Sequence, residues 1–350
     1  AFDLAMQRLS GQWQGELACS MAKGTFSLPL EQTEQDVIKL EMRYLNLTEL
    51  MQVDFQQDTI EMTQMPLIKV VSEQLWWKDS NLGRLQIATE RRVNGIRFKN
   101  IDVISEQHSI ELKADWVGSA GSSFTEMSGR VSTEDFGGFL AQFDFDNDFK
   151  DSQGDIDFFA KWPGSPYHFA IEAMEAEMDV ELQDGRLASV EPGFGRILGL
   201  LAMEQWIKRL TLDFGDIYKQ GMSFNRITGH FNIRQGKALS NNLLIDAVPA
   251  QIFISGTTDL IAKTFDHRMG VMPKSSGAIP IAGTIVGSIA GVIAQVFTDD
   301  YKEGYFFGSH YKVKGPWHDF KVIPIHEQDG LLKKTWTGLT DFSWMSSLAK

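Results

Sequence analysis

Residues 174–182 read Met-Glu-Ala-Glu-Met-Asp-Val-Glu-Leu, so that Met174, Ala176, Met178, Val180 and Leu182 alternate with Glu175, Glu177, Asp179 and Glu181. A period of two marks a half-buried β-strand, because successive side chains leave opposite faces of the pleat. One face is apolar and the other acidic. Just upstream, Phe169 and Ile171 hold the opposite parity, which predicts a bulge or register change near Glu172 and Ala173.

Runs of the same character extend in both directions: Arg84 to Glu90, Ile96 to Ile104, Ser109 to Trp116, Phe124 to Ser132, Asp155 to Trp162, Phe224 to Arg234 and Ala250 to Ala262. Turn residues separate almost all of them, so the chain reads as mainly β with a few helices. LKADWVGSAGSSFTEMSGRVS and FFAKWPGSPYHFAIEAMEAEM echo each other. Each has a strand ending at a tryptophan, Trp116 or Trp162, then a Gly/Ser-rich turn and another strand, which reads as repeated hairpin units.

Helical signals are fewer. Ser132-Thr133 offers hydroxyls to cap a short helix over Glu134 to Gln142, a plug or lid. Asp184-Gly185 predicts a turn into a short apolar strand, and the breaker Pro192-Gly193 then opens a helix near 193–210. On it Phe194, Ile197, Leu198 and Leu201 share one face at i, i+3, i+4 and i+7. Gly277 to Thr298 runs without a charge, and Gly283, Gly287 and Gly291 repeat as G-x-x-x-G-x-x-x-G, which permits close backbone approach. Its length is near that of a bilayer span. Its Gly, Ala, Ser and Thr content favours a helix packed tightly on a sheet, with a bilayer span, a groove plug or membrane-surface contact as the other readings. Trp336 and Trp344, with nearby lysines, suit either a bilayer interface or simple packing anchors. The expected division is a β-sheet region over 1–270, then a glycine-rich helix, final strands and a tail over 271–350.

Composition narrows the function classes. At 350 residues and 43% hydrophobic, the chain has ample material for a core. A net charge of -13 and a pI near 5.0 speak against nucleic acid, whose binding relies on clustered Lys and Arg to release counterions. The single cysteine, Cys19, forms no internal disulfide and is expected as a small buried apolar side chain. No signal peptide is read at the start.

Catalytic and metal motifs fail on spacing. His310, His318 and His326 place no pair on one helical face. Asp144, Asp146 and Asp148 open like a calcium loop, yet Phe149 stands where the turn needs Gly and Asp155 where a bidentate Glu belongs. An acidic hairpin turn is the better reading. Gly193, Gly195 and Gly199 miss the dinucleotide fingerprint, and no G-x-S-x-G elbow occurs. No enzyme, metal or cofactor is predicted.

Many strand faces and few helices leave the question of what covers the apolar side. Two sheets packed together satisfy the pattern. So does one long curled sheet, whose concave face would form an apolar trough larger than soluble proteins normally leave uncovered. At about 0.8 kcal/mol per buried CH₂, a tail of roughly sixteen carbons would favour such a trough over water by on the order of ten kcal/mol. On this reading Met174, Ala176, Met178, Val180 and Leu182 line the trough, and flexible methionine adapts to acyl chains as readily as it fills a core.

The segment from Trp162 to Pro273, through WPGSPYHF, DGRL, GFGRILGLL, RLTLDF and NRITGHFNIRQG, resembles the C-terminal region of the YhdP proteins, members of the AsmA-like superfamily of Gram-negative envelope proteins. The resemblance implies an elongated, curled, taco-like β-sheet with C-terminal helices and an upstream inner-membrane anchor. It also implies conduction of glycerophospholipids across the periplasm, with C-terminal helices that approach the outer membrane. In that picture Phe194, Ile197, Leu198 and Leu201 close the groove's end or make a plain helix-on-sheet contact. Gly283, Gly287, Gly291, Trp336 and Trp344 are the candidates for membrane contact. The competing expectation is a structural or interaction module of the envelope that works through protein partners.

Overall fold

The computed structural model describes residues 2–9, 11–30, 36–51, 65–119, 122–145, 148–188, 221–248, 250–274, 309–317 and 319–325. Among them the protein is mainly β, with eighteen strands and two short helices. In chain order these are β1 (Asp3–Leu9), β2 (Gln12–Ala18), β3 (Ala22–Pro29), β4 (Val37–Asn46), α1 (Leu47–Met51), β5 (Leu67–Trp77), β6 (Ser80–Arg92), β7 (Gly95–Ile104) and β8 (His108–Ser119). Next come β9 (Ser122–Thr133), α2 (Phe136–Ala141), β10 (Phe149–Lys150), β11 (Gln153–Pro163) and β12 (Glu175–Leu187). The remaining strands are β13 (Met222–Arg234), β14 (Lys237–Ala247), β15 (Ala250–Asp259), β16 (Thr264–Pro273), β17 (Ser309–Pro316) and β18 (Lys321–Pro324). Packing divides the chain into two compact units, one of Ala1–Gly185 with Phe231–Gly236 and the other of Arg186–His230 with Lys237–Lys350.

In the first unit, neighbouring strands pair antiparallel from β1 to β4 and from β5 to β9. β4 and β5 run parallel, with Leu40 opposite Val70. β9 continues the ladder to β11, which pairs in turn with β12. Local chemistry sets the junctions. Asn46, the last residue of β4, accepts from the amides of Thr48 and Glu49 through Oδ1, which caps the first turn of α1. Bulges, such as the one between Phe98 and Ile101 of β7, let long strands keep their apolar side chains on one face.

In the second unit, β14 to β18 form an antiparallel ladder. Its buried face includes Ile245, Ile252, Met269, Val271 and Tyr311. His267 hydrogen-bonds Thr258 there at 2.9 Å, and burial lowers its pKa, so the ring is held neutral on this face.

Four local expectations change. Residues 170–173 form a turn closed by the Ala173 amide on the Ala170 carbonyl at 3.1 Å, so Phe169 and Ile171 precede the strand and no bulge sits at Glu172 and Ala173. Asp184 and Gly185 do not end a strand. Both take positive φ, 45° and 147°, inside β12, which runs on to Leu187. The cap of α2 is Asp135, whose Oδ1 accepts from Gly138 at 2.9 Å, because Ser132 and Thr133 are already paired in the β-ladder. Finally, β15 stops at Asp259 rather than Ala262, since the Asp259 carboxylate accepts from the amides of Ile261 and Ala262 and turns the chain.

Candidate functional site

The register of the first unit aligns one continuous apolar face across its strands. On β12 and at Met174 just before it the parity is as read: Met174, Ala176 and Leu182 are buried, Met178 and Val180 are partly exposed, and Glu175, Glu177 and Asp179 are exposed. Glu181 shares their face and is partly exposed. Cross-strand pairing carries the inward set onto β11 as Leu182–Gly154, Val180–Ile156, Met178–Phe158 and Ala176–Ala160. The same face continues through β9, β8, β7, β6, β5 and β4.

From β6 to β12, burial on this face follows distance along the strand. At one margin, where β8 begins, His108, Thr133, Gly154 and Leu182 are all buried. At the other, Ile96, Trp116, Thr125 and Trp162 are buried as well. Between them lies a rung of paired positions, Ile87–Ile101–Leu112–Gly129–Phe158–Met178, each partly exposed. A second rung, Ile110–Val131–Ile156–Val180, is partly exposed too. The mid-strand residues therefore form an apolar lane that crosses the strands.

Each margin is built by its own aromatic chemistry. At the His108 margin, Phe139 of α2 meets the His108 ring edge-on at 5.4 Å, and Phe143 meets Phe139 at 5.2 Å and Trp77 at 6.5 Å. The His108 Nε2 contacts the Leu82 carbonyl at 2.8 Å. The Lys78 ammonium pairs with Asp144 just past Phe143. At the Trp116 margin, Tyr167 and Phe169 of the turn before β12 pack edge-on against Trp116 and Trp162, at 6.0 and 5.4 Å. That turn is fixed by bonds to its own strands: the Trp162 indole donates to Ser165 at 3.1 Å, and Thr125 Oγ1 donates to Gly164 at 2.9 Å.

The opposite face is ionic. Arg97 grips Asp115 through two 2.7 Å bonds, Arg130 grips Asp157 at 2.8 and 2.6 Å, and Lys161 reaches Glu126 at 2.9 Å. The hydrogen-bonded Arg130 guanidinium lowers the Asp157 carboxyl pKa. These exposed pairs contribute little stability each, but their charge keeps this face in water.

Cys19 is only partly buried, at a turn where its thiol contacts the Ala22 carbonyl at 3.5 Å, so it is not the core residue expected. Among the described residues no group of three or more His, Cys, Asp and Glu stands ready to hold a metal, and no helix is long and apolar enough to cross a membrane. Phe194, Ile197, Leu198, Leu201, Gly283, Gly287, Gly291, Trp336 and Trp344, with the helices expected near 193–210 and 277–298, lie outside the described residues. The lane residues contributed by β6 to β11 were not singled out from sequence. Their signal was the alternation in those strands, which assigns parity but not position between two margins.

Residues 1–322 match the family model described as "YhdP protein". The chain belongs to the YhdP family. The match reaches well upstream of Trp162, across strands whose sequence shows only compatible patterning. A 220-residue stretch of this family member, 62% of the chain, is 20% identical to a protein of Escherichia coli (strain K12) named "Intermembrane phospholipid transporter YhdP". It spans 17% of that relative's length. No solved structure matches.

Proposed function

We propose that this chain is a non-catalytic segment of an intermembrane glycerophospholipid transporter, in which acyl chains occupy the apolar lane of the first unit. The observation that carries this reading is the Ile87–Ile101–Leu112–Gly129–Phe158–Met178 rung: paired, apolar and partly exposed across six strands, with buried margins on both sides. A simple core would bury the middle of each strand most deeply; here the middle is the wetter part. An acyl chain laid along the rung removes that surface from water at roughly 25 cal/mol per Å². The printed name of the Escherichia coli relative supports phospholipid as cargo, and the family resemblance supports a periplasmic location between an upstream inner-membrane anchor and the outer membrane. On this reading the C-terminal residues, including Gly283, Gly287, Gly291, Trp336 and Trp344, approach the outer membrane, and Phe194, Ile197, Leu198 and Leu201 close the groove's end.

The test places a photocrosslinking side chain at Met178 and, as the opposite-parity control, at Glu177, and assays each for covalently captured phospholipid in cells. Capture at Met178 and not at Glu177 is expected. Capture at neither position, with both proteins folded, would overturn the reading. A second reading, a protein-docking module of the envelope, draws on the exposed apolar side chains of β1, where Leu4, Met6 and Leu9 are 50%, 49% and 43% exposed. Stable copurification of a protein partner without lipid would favour it.

A further inference from the structure

We infer that the outward face of β16–β18, in the second unit, docks on the surface of an anionic phospholipid bilayer. The inference goes beyond the lane reading and uses no residue of the first unit. Register places Arg268 opposite Lys312 and Lys312 opposite Ile323; two residues along, Asp266 stands opposite Lys314 and Lys314 opposite Lys321. The alternate positions of these strands, among them Met269, Val271, Tyr311 and Val313, are buried, so the cationic rows lie on the outward side. Arg268, Lys312, Lys314 and Lys321 are all exposed, and Ile323 among them is 49% exposed.

Folding gives no reason for this arrangement. Like charges directly opposite on paired strands are destabilising, and two such pairs, Arg268–Lys312 and Lys314–Lys321, stand side by side. Asp266 offsets part of the repulsion, with a carboxylate oxygen 3.1 Å from Lys314 Nζ. Lys312 and Lys321 have no acidic partner among the described residues. The whole chain carries a net charge of -13, so this local excess of cations runs against its composition. A surface that brings negative charge to Lys312 and Lys321 removes the repulsion. Exposed apolar side chains select a lipid surface for that role: Ile323 lies within the cationic rows, and Ile325, just past β18, is 38% exposed. Isoleucines flanked by lysines can enter the boundary between headgroups and acyl chains while the ammonium groups stay at the phosphates. An acidic protein surface would use the charges and leave both isoleucines against polar groups.

Sedimentation measures binding of the purified chain to phosphatidylcholine vesicles with and without phosphatidylglycerol. Binding should require phosphatidylglycerol and weaken as salt is raised. A basic residue near an anionic leaflet is worth roughly a fivefold change in partitioning, so Lys312→Gln and Lys321→Gln should each weaken binding about fivefold, and the double variant about twenty-five-fold. Lys69→Gln with Lys113→Gln, which removes the same charge from exposed positions of the first unit, should bind as the unmodified chain does. Relieving a like-charge pair should leave the thermal midpoint unchanged or raise it, which separates lost binding from lost fold. In the unmodified chain, vesicles should protect Lys312 and Lys321 from acetylation, read by mass spectrometry, and leave Lys69 and Lys113 reactive. Equal binding by the double variant and the first-unit control would overturn the docking surface, as would unprotected Lys312 and Lys321 or no binding to phosphatidylglycerol vesicles. None of these outcomes bears on the lane, which the Met178 crosslink tests separately.

Discussion

Gly129 sits on the central rung, where any side chain would meet its neighbours. An added Cβ would stand 2.4 Å from Leu112 Cδ2 and 2.6 Å from the Glu111 carbonyl oxygen. The leucine can swing away, but the carbonyl belongs to the ladder and cannot. Gly129→Val is therefore expected to destabilise the protein by roughly 1–3 kcal/mol, the range for overpacking, as read from the urea midpoint. Adding Leu112→Ala should recover only the part of the loss due to the side-chain clash. Wild-type stability in the single variant would show that Leu112 does not lie over Gly129. Residue by residue, the sequence made parity legible: the acids of MEAEMDVEL could face only water, and Met178 and Glu177 fall on the two sides expected. It left exposure along the strand illegible. Met174 and Met178 look alike in the pattern, yet one is buried at a margin and the other is partly exposed in the lane. At the margin of Met174, the Tyr167–Phe169 turn folds back onto Trp116 and Trp162, contacts set by tertiary structure rather than by local period.

At the scale of elements, strands were read well and their ends poorly. The runs from Arg84 to Trp162 all appear as strands because alternation over many residues is a strong signal. Boundaries turned instead on single hydrogen bonds, as where the Asp259 carboxylate stops β15 and Asp135 starts α2. The parallel pairing of β4 with β5 is a non-local choice with no short-range signature. α2 was expected as a plug, and it does bring Phe139 against His108 at one margin. With six residues it has little intrinsic stability, so it depends on its cap and its aromatic contacts. Asp135→Ala should cost about 1 kcal/mol. Amide exchange should accelerate within 136–141 before it does in β8 and β9, while Asp135→Asn should retain most of the protection. Uniform acceleration across all three elements would instead tie α2 to the global unfolding of the sheet.

For the molecule as a whole, the proposed lane makes a demand that a simple binding pocket does not. Its rungs pass from strand to strand, so a lipid travelling along them meets each strand in turn. Positions arranged in series share a rule: one block stops the flow, and a second block adds nothing. An unpaired carboxylate placed in the lane would repel acyl chains at that rung, since a charge gains no compensating partner there. The partly exposed positions suit such a test, because Ile87, Val131 and Val180 retain enough solvent contact for a carboxylate to be tolerated by the fold. Ile87→Glu, Val131→Glu and Val180→Glu, each in the full-length protein, should reduce phospholipid transfer between membranes to the same low level. The double variant Ile87→Glu with Val180→Glu should be no worse than either single change, whereas Glu177→Lys on the opposite face should transfer normally. Transfer of radiolabelled phospholipid to the outer membrane, with protein level and thermal midpoint measured alongside, gives the readout. Graded losses that multiply in the double variant would describe independent binding positions instead of a conduit, and the lane would then hold lipid without conducting it.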